Sequence, residues 1–193
     1  MKRLEVLKKE INYVKDSTRR KDLKTLIELL PEYFFEVPAS STGKYHPEFS
    51  LGDGGLVRHT KVAVRIAKEL LDNNTVGAKF SDLDKDLIIM ALILHDGVKS
   101  GMEHSRYTKF DHPLLVSKLI MENKDKLSLE IDDLRKMCSM IESHMGEWTY
   151  DSYNQKEVLP KPRTAEQRFV HMCDFLASRK FLDVKFEDND IVN

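Results

Sequence analysis

Cysteine, net charge and long apolar runs are what this sequence has least of, and each scarcity excludes something. Its two cysteines, Cys138 and Cys173, are too few for a disulfide framework and do not form a paired C-x-x-C metal site. Both are expected as buried thiols, with no disulfide-linked partner. No apolar stretch approaches the roughly 18 residues that a membrane span requires. The opening MKRLEVLKKE alternates apolar and charged positions, so it lacks the apolar core of a signal peptide. A reduced, soluble, cytoplasmic protein without membrane contact is the expectation.

Charge of one sign is equally scarce. Lys and Arg number 31 against 32 for Asp and Glu, a net charge of −1, which gives no global field to hold duplex DNA. Any nucleic-acid contact must therefore be local. Repeats, low-complexity blocks and linkers are also absent, so the 193 residues, 41% of them hydrophobic, are read as one domain with a sizeable core. The ends differ in charge. Residues 1–25 carry nine Lys or Arg against four acids, and residues 181–193 one Lys against four acids. Residues 1–30 are read as an N-terminal helical extension packed on the domain, and 181–193 as an acidic tail.

Helical periodicity dominates what is there, and no strand alternates strongly, so the fold class is all-α. Leu4, Leu7, Ile11 and Val14 form one apolar stripe; Leu23, Leu26, Ile27 and Leu30 form a second that stops at Pro31. Residues 38–55 (PASSTGKYHPEFSLGDGG) read as a long loop leading into a helix that starts near Leu56. Ser81 and Asp84 resemble a capping box ahead of the apolar run Leu87 to Leu94, which His95-Asp96-Gly97 ends. Asp111-His112-Pro113 suits a helix start running to about Met121. Leu134, Met137, Ile141 and His144 share a stripe, with Gly146 placed as a helix stop. A second loop covers 148–163, after which Thr164 and Gln167 cap a helix whose inner face is Val170, Cys173 and Ala177.

Seven histidines stand out by position: 46, 59, 95, 104, 112, 144 and 171. His59, His95, Asp96, His144 and Asp174 fall at or beside core-facing positions, and His112 at a helix start. Buried carboxylates need cations or several donors, so Asp96 and Asp174 ask for partners. Two readings satisfy them: a hydrogen-bonded core network, or a metal site whose imidazole and carboxylate ligands suit Mn, Fe, Ni or Zn. Adjacent His95 and Asp96 would project about 100° apart on a continuous helix. They converge only if the helix ends there, which Gly97 permits.

At these residues the sequence resembles the HD-domain metal-dependent phosphohydrolases, whose motif order H…HD…D is matched by His59, His95-Asp96 and Asp174. His112, in DHP, and His144, in ESHMG, match two further histidines found in a subset. Over about residues 30–180, the strings FFEVPASS, GGLVRHT, ALILHDGVK, ESHMG and LPKPRTAEQRFVHMCDFLASRK look most like the HD domain of YhaM-type 3′–5′ exonucleases. The nucleic-acid-binding β-barrel of those proteins has no counterpart here. MGEWTYD after His144 lacks the GYP signature of cyclic-di-GMP hydrolases, and HDGVKS lacks the acidic pair of (p)ppGpp hydrolases.

The resemblance implies a helical bundle with a metal site between core helices. It implies that His59, His95, Asp96 and Asp174 hold one divalent ion and that Asp96 bridges to a second held by His112 and His144. The ions would be drawn from Mn, Fe, Ni, Zn or Mg. A metal-activated hydroxide would hydrolyse a phosphoester of a nucleotide or short single-stranded nucleic acid. Asp96 and Lys99 are the catalytic candidates, Lys99 either neutralising a phosphate oxygen or being a solvated charge. Arg58, His104, Arg106 and Lys109 are candidates for substrate binding. Trp148 and Tyr150 either stack on a base or pack their loop. His46 is read as a loop residue and His171 as an exposed or hydrogen-bonded helix residue. Two other functions stay open on the same residues: a mixed-valent di-iron oxygenase, and a non-catalytic metal-binding helical module. Oligomeric state is left open.

Overall fold

Side chains that compete with or complete backbone hydrogen bonding decide where the helices begin and end. In a computed structural model describing residues 3–40, 42–43 and 46–192, the chain is a bundle of α-helices with two very short hairpins. Met1, Lys2 and Asn193 of the expected extension and tail, and Ser41, Lys44 and Tyr45 of the first loop, lie outside the described residues.

The first apolar stripe forms two single turns, α1 (Arg3–Val6) and α2 (Lys8–Ile11), broken at the buried Leu7. Helix α3 (Ser17–Glu28) starts where the Asp16 carboxylate accepts from the amides of Thr18 and Arg19. After the long loop come α4 (Gly55–Asp72) and the short α5 (Asn74–Gly77). Helix α6 (Asp82–Leu94) opens on the Ser81/Asp84 capping box and α9 (Ala165–Ala177) on the Thr164/Gln167 box. Between them lie α7 (His112–Glu122), with Pro113 in its first turn, and α8 (Ile131–Glu142).

Every residue of α6 from Asp86 to Leu94 is buried, as a helix that is apolar all round must be. Helices α4, α8 and α9 pack around α6 and α7 packs on α8, so residues on the last turns of α6 and the first turn of α4 face one another inside the bundle. The N-terminal helices are fastened to this bundle by buried acids. Asp86, 1% exposed, accepts the amides of Lys15 and Asp16 at 2.8 and 3.0 Å and the Arg19 Nε at 2.9 Å. Asp22 on α3 accepts the amides of Ser128 and Leu129, both at 2.8 Å.

Two features differ from the sequence reading. The loop over 148–163 contains a hairpin, β1 (Tyr150–Asp151) with β2 (Lys156–Glu157), and the acidic end folds into another, β3 (Phe186–Glu187) with β4 (Asp190–Ile191). Both turn on a residue in the left-handed region, Gln155 at φ 50° and Asp188 at φ 52°. Two-residue strands are too short to show alternation in a sequence. The second hairpin lies on α4, where the buried Lys61 ammonium donates to Asp190 Oδ1 at 2.5 Å.

Cys138 and Cys173 are both buried and form no disulfide; burial pushes the Cys138 thiol up to about 11 and raises Cys173 as well. Among the described residues no helix is long and apolar enough to cross a membrane.

Candidate metal centre

Three histidines owe their orientation to one device. His95 is the C-cap of α6, His112 the first residue of α7, and His144 sits just beyond the end of α8. In each, Nδ1 lies within 2.8 Å of the backbone carbonyl oxygen three residues earlier: Leu92, Lys109 and Ile141. A carbonyl only accepts, so Nδ1 carries the proton and the Nε2 lone pair is left to face the interior. Helix α8 stops short of His144, which was expected on its stripe, because the Ser143 hydroxyl donates to the Ser139 carbonyl and competes with the helix ladder.

The lone pairs converge on two carboxylates. Asp174 Oδ1, from α9, lies 2.9 Å from His59 Nε2 on α4 and 3.4 Å from His95 Nε2. Asp96 Oδ1 lies 2.9 Å from His112 Nε2 and 3.8 Å from His144 Nε2, while its Oδ2 is 3.6 Å from His95 Nε2 and accepts from Lys99 Nζ at 2.5 Å. His112 and His144 approach Nε2 to Nε2 at 3.3 Å. The result is two adjoining nests, His59–His95–Asp174 and Asp96–His112–His144, with His95-Asp96 at the seam. His59, His95 and Asp174 could hold one ion, and His95, Asp96 and His144 form a second group with ligand atoms within 4.8 Å.

Burial and mutual charge set the protonation of the cluster. Burial pushes the His144 imidazole down to about 3, so it is neutral. Burial works against the charge of Asp96, but Lys99 and His95 outweigh it and hold the carboxyl well below the usual range. Asp174 follows the same pattern through His59 and His95. Burial alone would depress His95, yet Asp96 and Asp174 raise it above its ordinary value. His95 Nε2 is nevertheless buried with no hydrogen-bond partner, its nearest carboxylate oxygens standing 3.4 and 3.6 Å away. An orphaned buried polar atom costs about 1–3 kcal/mol. Imidazole nitrogens and carboxylate oxygens that converge in this way, now bridged by protons at His59–Asp174 and His112–Asp96, are a donor set that fits a divalent cation in place of those protons.

A family model described as HD domain matches residues 56–178, from the start of α4 to just past α9, and includes all six residues. The chain belongs to the HD domain family. An HD domain implies binding of divalent metal, and the family consists mostly of metal-dependent hydrolases. Comparison with curated proteins and with solved structures gave no match.

The HD nest forms the floor of a cleft of about 660 Å³. Of the residues expected on the substrate side, four are placed elsewhere. Arg58 turns away: its guanidinium donates to the carbonyls of Phe49, Leu51 and Asp53 and to Asn189 Oδ1 at 2.6–3.1 Å. It holds the loop before α4. His104, Arg106 and Lys109 are exposed and do not line the cleft. His104 rests against Tyr33 and Arg106 against Tyr107, while Lys109 contributes only its backbone, to Lys99 O and to His112. The cause is local folding of this loop, whose backbone is pinned by Tyr33: its hydroxyl donates to Gly101 O and accepts from Ser100 N. Lys99 does line the cleft, paired with Asp96.

Several cleft residues were missed as site residues. Phe175, Ser178 and His171 share a helix face with Asp174, a spacing of 171, 174, 175 and 178 that the sequence displays. Arg179 follows them. His171 is hydrogen-bonded, Nδ1 to His144 O at 2.7 Å, and so steadies the turn that carries His144. His46 comes from the long loop to stand 5.8 Å from the His59 ring, where burial pushes it down to about 4. No local pattern marks His46; only the folding of the loop brings it there. Trp148 reaches the cleft and Tyr150 does not.

Proposed function

We propose that this HD domain is a phosphohydrolase acting on a phosphoester of a nucleotide or a short single-stranded nucleic acid. The observation that carries the reading is the pair of adjoining nests that share His95-Asp96 at the floor of an open cleft. His59, His95, Asp96 and Asp174 would hold one divalent ion, and Asp96 with His112 and His144 a second. Ions so held supply Lewis acidity toward a phosphoryl oxygen and acidify a water at neutral pH. The chain's own residues do the positioning. The Nδ1 bonds of His95, His112 and His144 fix their rings before any ligand arrives, so little reorganisation is needed on binding. Lys99, donating to Asp96 Oδ2, stands at the cleft wall where it can turn to a non-bridging phosphate oxygen. The cleft is sized for a small ligand rather than a duplex, which suits a near-neutral chain. We also read the chain as one unit with residues 3–30 as an extension, on the strength of the buried Asp86 and Asp22 bonds.

The test is a screen of Mn-loaded protein in anaerobic buffer against nucleoside phosphates, cyclic dinucleotides and labelled single-stranded RNA and DNA. Turnover of at least one class is expected, with loss of about a hundredfold or more in Asp96→Ala. Activity unaffected by that substitution would refute the site. No phosphoester turnover there, with oxygen consumption by iron-loaded protein in a parallel aerobic assay, would instead favour the di-iron oxygenase.

A further inference from the structure

One wall of the cleft is chemically unlike its floor. Trp148, from the loop after His144, lies nearly parallel to Phe175, with ring centroids 6.2 Å apart and planes 19° apart. The Arg179 guanidinium covers the same Phe175 ring at 4.2 Å, held by Nη2 donating to Ser178 Oγ at 2.7 Å and Nε to Phe175 O at 3.2 Å. All three line the cleft with the metal nest. Among the described residues no carboxylate pairs with Arg179, so its charge is free to meet an anion. Trp148 remains 46% exposed, which a ring that served only to pack its loop would not need.

Resting on the phosphohydrolase reading, we infer that Trp148, Phe175 and Arg179 form a subsite for an unpaired nucleobase beside the reacting phosphate. Phe175 is the residue after Asp174, and Trp148 lies four residues past His144, so the stack adjoins the nest along the cleft. A nucleotide whose phosphate sits at the nest would set its base against this stack. A π-face is common to every base, and no side-chain amide lines this part of the wall to read a base edge. The subsite is therefore base-tolerant. It excludes paired bases, whose faces are already stacked, and Arg179 would meet the negative charge of an adjoining phosphate.

Trp148 is the only tryptophan in the chain, so intrinsic fluorescence reports this subsite directly, with or without metal. Adenosine and cytidine monophosphates, a short single-stranded oligonucleotide and ribose 5-phosphate are titrated separately. Saturable quenching by both mononucleotides, and none by ribose 5-phosphate, is expected; quenching by the oligonucleotide at lower concentration than by mononucleotides identifies a strand end as the better source of the base. In turnover, Trp148→Ala raises KM for a nucleotide substrate about ten- to a hundredfold with kcat unchanged, and Trp148→Phe restores most of the loss. A merely structural role would lower the melting temperature without this split. Equal quenching by ribose 5-phosphate, or an unchanged KM in Trp148→Ala, overturns the subsite. Absence of turnover in every arm overturns the phosphohydrolase reading instead, while the fluorescence titration still decides whether a base is bound.

Discussion

His95, His112 and His144 each spend one ring nitrogen on the carbonyl three residues before them, and that choice leaves the other nitrogen inside the protein with a lone pair and few donors. All three sit where a helix starts or stops. The sequence displayed these positions through Gly97, Pro113 and the apolar runs that end beside them. It could not display side-chain direction. Arg58 is one residue before His59 and therefore about 100° around α4, which carries its guanidinium to the loop carbonyls of residues 49–53 rather than to the cleft. Arg58→Ala is accordingly expected to lower stability by about 1–3 kcal/mol in denaturant unfolding while leaving KM for any substrate unchanged. A raised KM with unaltered stability would return Arg58 to the substrate side.

Elements were legible in proportion to their length and to their capping chemistry. The boxes at Ser81/Asp84 and Thr164/Gln167 fixed the starts of α6 and α9, whereas the hairpins β1–β2 and β3–β4 turn on single left-handed residues and left no periodic trace. The turn after α8 depends on Gly146, at φ 67°, where a Cβ would collide with the His171 imidazole. Gly146→Ala should cost about 1–3 kcal/mol and weaken metal binding by disturbing the His171 bond to His144 O, measurable by thermal melting with and without Mn. Glu10 on α2 gives a pH signature. Burial raises its pKa above the ordinary 4.5, in spite of Lys61 at 3.8 Å. Between the ordinary and the raised value the folded chain keeps a proton that the unfolded chain has released, so stability falls as pH rises through that interval. Glu10→Gln should flatten this fall in unfolding measured on the alkaline side of pH 4.5, with Lys61 still paired to Asp190. An unchanged slope would show that Glu10 does not carry it.

At the scale of the whole molecule, balanced charge and scarce cysteine narrowed the class of function without pointing to a site. The site comes from long-range assembly: α4, α6, α7, the end of α8 and α9 each deliver one or two of six residues spread over more than half the chain. The order of those residues was readable, and Trp148 was a candidate for stacking, but the inclusion of His46 and Arg179 was not, since the path of the chain outside the helices decides them. The HD domain account stands or falls on metal. Full-length protein dialysed against Mn²⁺ and assayed for bound metal is expected to retain two ions per chain, falling to one in His112→Ala and to none in Asp96→Ala, each variant remaining folded by circular dichroism. Retention of no ion by the wild type, or of the same number by Asp96→Ala, would contradict it.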